Sequence, residues 1–150
     1  MLTIRRATID DLNELAHLFD SYRQFYVQTS NLELAKSFIS ARIFNQESVI
    51  FVAENETNQL IGFCQIYPRF CSVAAAKIGV LYDLFVDANT RKTGAGRALM
   101  LAAHEYAAKN GMTRLDLSTA KDNLKAQALY ESLGWVRDDI FYTYSKQTSV

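Results

Sequence analysis

The chain has 150 residues, 49% of them hydrophobic, with sixteen basic against sixteen acidic side chains and a single proline, Pro68. That length suits one domain spanning residues 1–150 with its own core, and the balanced charge offers no basic stripe of the kind that binds nucleic acid. There is no run of about eighteen apolar residues, no apolar leader after Met1-Leu2-Thr3-Ile4-Arg5-Arg6, and only two cysteines. A soluble cytoplasmic protein is expected, with no membrane span, no bound metal and no disulfide framework.

Leu2 to Arg6 reads as a short strand. Thr8 or Asp10 then offers a side-chain oxygen to the free amides of a helix start. Leu12, Leu15, Ala16, Phe19, Tyr22 and Tyr26 recur at helical spacing, which predicts an amphipathic helix over about 10–27. Asn31 caps a second helix carrying Leu32, Ala35, Phe38, Ile39 and Ile43. The period then changes to two: Ser48 to Ala53 and Leu60 to Tyr67 are strands joined by a turn at Glu56-Thr57-Asn58-Gln59. Pro68, which cannot donate to a ladder, is expected to end the second of them. Cys64 and Cys71 read as small buried residues in a reducing compartment.

A long strand follows over about 77–86, then a polar loop from Asp87 to Thr93. A helix from Gly94 turns Leu99, Ala102, Ala103 and Tyr106 inward until Gly111. Arg114 to Ser118 is a strand, 123–133 a helix closed by Gly134, and Ile140 to Tyr144 a last strand. The order β-α-α-β-β-β-α-β-α-β implies a mixed sheet flanked by helices, with a right-handed crossover in the middle. His17 and His104 lie on helices without a ligand-spaced partner.

Between the long strand and its helix stands Arg91-Lys92-Thr93-Gly94-Ala95-Gly96. Glycines there let the backbone approach a ligand closely, and the amides and dipole of a helix start attract an anion such as pyrophosphate. Arg91 and Arg97 can add charge-assisted bonds. A loop that merely turns the chain is the other reading of Gly-x-Gly. A dinucleotide fingerprint would need glycine at Leu99, and a P-loop would need Lys-Ser/Thr where Arg97-Ala98 stand.

Asp83-Leu84-Phe85-Val86 followed by Arg91-x-x-Gly94-x-Gly96-Arg97-Ala98-Leu99 resembles the acetyl-CoA signature of the GNAT superfamily of N-acetyltransferases. Asn123-x-x-Ala126-x-x-Leu129-Tyr130-x-x-x-Gly134-Trp135 resembles the family's later motif. The resemblance is strong over residues 77–146; in the N-terminal half it extends only to element order. Asp-Leu-Phe-Val with the aromatic, acidic C-terminus is similar to the fungal histone and polyamine acetyltransferases, although those polyamine enzymes carry adjacent acids where this chain has Tyr82-Asp83.

The resemblance implies an α/β fold: a mixed, mostly antiparallel sheet, splayed at a central V-shaped slot and flanked by about four helices. It implies acetyl-CoA as co-substrate, its pyrophosphate on Gly94, Ala95, Gly96 and Arg97 with Arg91 alongside. The pantetheine arm would pair with the backbone of Phe85 and Val86 and bond Asn123, while Tyr130 protonates the departing thiolate. On spacing alone Tyr130 reads as a core tyrosine; it is the family motif that gives it the acid's role.

An alkylamine acceptor with a pKa near 10.4 is neutral in only about one molecule in 2,500 at pH 7, so its proton must be removed before attack. Asp83, in a strand of apolar neighbours, is the candidate base. Simple alternation puts it on one face with Leu81 and Phe85, unless a bulge intervenes. A carboxylate that structures the splay is the other reading. Tyr22, Tyr26, Gln65, Tyr67 and Phe70 are candidates to line the site of a small-molecule amine, and Arg69 could hold a substrate carboxylate. Two further functions stay open: a domain that senses acyl-CoA without turnover, and a peptide or lysine acetyltransferase. The aromatic C-terminal strand further suggests a homodimer.

Overall fold

The computed structural model describes residues 1–90 and 93–149. Five strands form one sheet in the order β1-β2-β3-β4-β5: Thr3–Arg6, Val49–Glu54, Leu60–Cys71, Ala76–Val86 and Leu115–Asp116. The first four run antiparallel to their neighbours, and β4 pairs β5 in parallel. Three helices, α1 (Leu12–Phe25), α2 (Leu32–Phe44) and α3 (Ala95–Lys109), belong to the same compact unit, Met1–Ser118. A second unit, Thr119–Val150, holds α4 (Leu124–Ser132).

The helix boundaries follow local chemistry. A 3-10 turn, Ile9–Asp11, precedes α1. It is pinned where the Asp11 carboxylate accepts from the Thr8 amide at 2.7 Å and from Arg5 through two bonds of 2.8 Å. The Asn31 side chain caps α2 by accepting from the Leu34 amide at 3.1 Å. Asp20 of α1 reaches the same junction, accepting from the Ser30 hydroxyl at 2.7 Å and the Asn31 amide at 2.8 Å. Past the end of α3, Gly111 takes φ +75°, the left-handed conformation that stops a helix at little cost.

The two-residue period divides the sheet into two faces. Ile50, Val52 and Phe63 point toward α1 and α2, packing with Leu15, Phe19 and Ile39. Phe51, Cys64 and Ile66 alternate with them and turn the other way, toward α3. There the Phe51 and Tyr106 rings lie 5.9 Å apart and the Cys64 thiol meets the Leu99 carbonyl at 3.7 Å. Each large apolar side chain fully buried contributes roughly 1.5–3 kcal/mol, enough in sum to keep polar groups dry between α1 and the sheet.

Pro68 lies inside β3, paired with Gly79, and does not end the strand. The Gly79 amide donates to the Arg114 carbonyl at 3.0 Å, so its main chain faces β5 and the Pro68–Gly79 pair carries no cross-strand bond. The proline nitrogen therefore points to the edge that β2 leaves open after Val49 pairs with Ile66, where no donor is needed. Cys64 is buried as expected, but Cys71, at the end of β3, is only half-buried.

The last strand expected at 140–144 does not form. Residues 135–149 contain neither helix nor strand, and Phe141, Tyr142 and Tyr144 are at least 80% exposed. That removes the paired edge on which the expectation of a homodimer rested. Aromatic and β-branched composition favours a strand only where a neighbouring strand supplies the ladder. No helix among the described residues is long and apolar enough to cross a membrane.

Candidate active site

The site begins with a slip in register. Gln65 of β3 pairs with Asp83 of β4, but the next residue, Ile66, pairs with Leu81. Tyr82 is the extra residue of a β-bulge on β4, and it breaks the alternation. Asp83 and Leu81 therefore lie on opposite faces, correcting the count by simple alternation; Asp83 shares its face with Phe85 and Val80 instead. Unpaired in the ladder, Tyr82 turns its side chain outward, and its carbonyl accepts from the Tyr22 hydroxyl at 3.3 Å.

The displaced carboxylate is dry. Asp83 is 4% exposed, and Gln65, fully buried, donates its Nε2 to Asp83 Oδ2 at 2.7 Å. Gln65 is in turn oriented by the Ser48 hydroxyl, which donates to Oε1 at 2.6 Å. The Tyr22 hydroxyl also faces the carboxylate. Burial pushes the Asp83 carboxyl above the ordinary aspartate range; the hydrogen bonds from Gln65 and Tyr22 oppose that rise without cancelling it. Burial first, and the charge of Asp83 next, lift the Tyr22 phenol well above its usual value and push Tyr67 up to about 12. Both phenols are thus held as neutral donors.

Asp83 opens on a cavity of about 590 Å³, a volume that suits a small ligand. Tyr22, Tyr26 and Tyr67 line it, joined by Phe19, Phe38 and Tyr82. The Tyr22 and Tyr26 rings meet edge to face at 5.2 Å, and Tyr67 and Tyr82 do so at 5.6 Å. Gln65 sits behind Asp83 and supports it without lining the cavity. Phe70 is not part of the wall: three residues beyond Tyr67, it falls on the other face of β3 and is 75% exposed. Arg69 is exposed and also outside the cavity. Sequence reasoning missed Arg23, which lines the cavity from α1. Its signal was present, since Phe19, Arg23 and Tyr26 share the stripe of one helix face.

At the C-terminal end of β4, pairing with β5 stops at Val80–Asp116, while β4 continues to Val86. The Asp87 amide donates to the Ile61 carbonyl at 2.8 Å. By alternation Phe85 turns its main chain toward β3, and Leu84 and Val86 turn theirs toward the side that β5 has left. Phe85 instead contributes its ring, 6.0 Å from that of Tyr22.

The turn into α3 is built for close approach. Gly94 is the N-cap residue at φ +80°, and nothing lies within 4 Å of the position a side chain would take. The first helical bond runs from the Ala98 amide to the Gly94 carbonyl, so the amides of Ala95 and Gly96 lie outside the helical ladder. Ala95 is buried, Gly96 half-buried and Arg97 exposed. An open, glycine-capped helix start with a cation beside it fits a pyrophosphate. Arg91 lies outside the described residues.

In the second unit, the Asn123 side chain caps α4, its Oδ1 accepting from the Ala126 amide at 3.2 Å. Tyr130 is half-buried and its ring lies 6.4 Å from that of Trp135. Among the described residues no group of three or more His, Cys, Asp or Glu side chains could hold a metal.

A mixed sheet that parts beside an open, glycine-capped helix start resembles the donor site of an acyl-CoA-dependent transferase. The acetyltransferase (GNAT) family profile matches residues 12–135. The uncharacterized N-acetyltransferase YhfO of Bacillus subtilis (strain 168) is 46% identical over 143 residues, covering 95% of each chain. A probable acetyltransferase of Haemophilus influenzae is 32% identical over 96 residues, 64% of this chain and 66% of that protein. A crystal structure of a probable acetyltransferase superposes with a TM-score of 0.92 at 35% identity, covering 98% of both chains. The chain belongs to the GNAT family, as an acetyl-CoA-dependent N-acetyltransferase. These relatives give no support to the fungal histone and polyamine subgroup.

Proposed function

We propose that the chain acetylates the amine of a small molecule seated in the cavity over β4, by direct attack on the thioester of acetyl-CoA. The observation that carries this reading is Asp83, a buried carboxylate displaced by a bulge to the wall of an aromatic cavity. Among the described residues no cation is ion-paired with it.

A buried carboxylate without a counter-ion favours an ammonium, and ring faces favour the same charge or an apolar body. Asp83 accepts a proton from the bound ammonium and leaves the nitrogen lone pair available. Its raised pKa brings it nearer to neutrality, where a general base works best. Acetyl-CoA supplies the activated acyl group. The acceptor nitrogen bonds to the carbonyl carbon, the C–S bond breaks, Tyr130 gives its phenolic proton to the departing sulfur, and the second proton released by the nitrogen restores the Tyr130 phenol. No covalent bond to the enzyme forms.

On the donor side, Gly94, Ala95, Gly96 and Arg97, with Arg91, hold the pyrophosphate. Phe85 and Val86 border the pantetheine arm, with Val86 presenting the main chain. Asn123 commits its carboxamide oxygen to the cap of α4, so it bonds the arm through its amino group. The free thiols of Cys64 and Cys71 suit a reducing compartment, and we place the protein in the cytoplasm.

The test is release of free CoA, followed with a thiol reagent, across polyamines, aminoglycosides, amino acids and basic peptides. Turnover on small amines, lost on replacing Asp83, is expected. Tight binding of acetyl-CoA with no turnover on any amine would make the domain a sensor instead.

A further inference from the structure

The cavity holds two opposite charges that do not satisfy each other. Asp83 lies on its β4 wall, held by neutral donors, and Arg23 of α1 lies on another. Among the described residues Arg23 forms no ion pair, and its Nη1 is buried with no acceptor. The nearest acid on its own helix, Asp20, lowers its own pKa through bonds from Ser30 and Asn31, with Arg23 contributing only through its field. A desolvated guanidinium N–H without a partner is unfavourable, so such a group calls for an acceptor that the protein itself does not supply.

We infer that the acceptor is an amino acid or a similar amine bearing a carboxylate, which Arg23 receives while Asp83 engages the ammonium. This rests on reading the cavity as the acceptor site. A guanidinium matches a carboxylate with two parallel N–H bonds, a geometry an ammonium cannot offer. Aromatic rings line the same cavity and offer walls for an apolar body, with Phe19 and Tyr26 on the same helix face as Arg23. The arrangement excludes polyamines as good substrates, because a second ammonium would meet Arg23.

The experiment uses the full chain with acetyl-CoA and compares the twenty L-amino acids with their carboxamides and decarboxylated amines. Wild type should favour the carboxylate member of its best set by about tenfold or more in kcat/KM. Arg23→Gln should bring that ratio toward one, and Arg23→Lys should restore part of it. A wild-type preference for the carboxamides or the simple amines would overturn the assignment. So would an Arg23→Gln loss equal across all three members, which marks a structural role. If Asp83→Asn impairs every member while the carboxylate confers no preference, the acceptor cavity stands and the Arg23 assignment falls. If neither variant changes any of them, the reading of the cavity itself fails.

Discussion

The turn into α3 and the cavity over β4, the two sites of the proposed reaction, offer different parts of the chain to a ligand. At the start of α3 the groups on offer are main-chain amides, and nothing crowds the Gly94 position. Over β4 the main chain is largely paired in the ladder, and the groups on offer are the side chains of Tyr22, Arg23, Tyr67 and Asp83, gathered from three elements. A backbone site suits a ligand group that never changes, and a side-chain site can be re-cut for a new acceptor without disturbing the fold.

The largest effect should come from the backbone site. Gly96→Val puts a β-branched side chain where the proposed site brings the chain close to phosphate, and calorimetry should show acetyl-CoA affinity weakened at least about 100-fold, near 3 kcal/mol. An unchanged affinity in a folded variant would remove the loop from the donor site. Tyr130→Phe should lower kcat by about 100-fold with little change in acetyl-CoA affinity if, as proposed, Tyr130 is the proton donor of the transition state. Wild-type turnover would return Tyr130 to the role of a core residue.

Asp83→Asn should also change stability, in the opposite sense to activity. The folded protein holds the Asp83 proton more tightly than the unfolded chain, so wild type loses stability as pH rises from the ordinary aspartate range through the raised pKa. The variant lacks that loss. Its thermal midpoint should exceed that of wild type at neutral pH, and the difference should vanish in acid. A variant less stable than wild type at pH 7 would show that the carboxylate is a structural asset. The smallest effect belongs to Ser48→Ala, which strips Gln65 Oε1 of its donor and should cost about 1 kcal/mol in denaturant unfolding. No cost would mean that Gln65 needs no orientation.

The same contrast explains what the sequence made legible. A backbone site leaves a linear trace, because Gly94 must occupy the left-handed region and α3 must follow it at once. The side-chain site has no such trace. Asp83 could be picked out as an acid among apolar residues, but its face was set by the bulge at Tyr82, a property of pairing with β3 that composition does not carry. Pro68 was misjudged for a related reason. Whether a proline is tolerated depends on which edge its nitrogen faces, and that edge opens only because β2 starts at Val49. Phe70 was assigned to the wall by type, although period two from Tyr67 already placed it on the far face. Residues 140–144 have strand composition and no ladder partner, and Arg23 looked like an ordinary helix cation until the burial of its Nη1 was seen.

The central claim is that Asp83 binds the acceptor ammonium and takes its proton, and the pH dependence of kcat/KM for the best acceptor tests it most directly. Wild type should show an acid limb, rising with pH as Asp83 ionises. In Asp83→Asn the acid limb should disappear and the plateau should fall by about 100-fold, the scale of general base catalysis. Superimposable profiles for the two proteins would contradict the claim and leave Asp83 as the residue that holds the bulge in place.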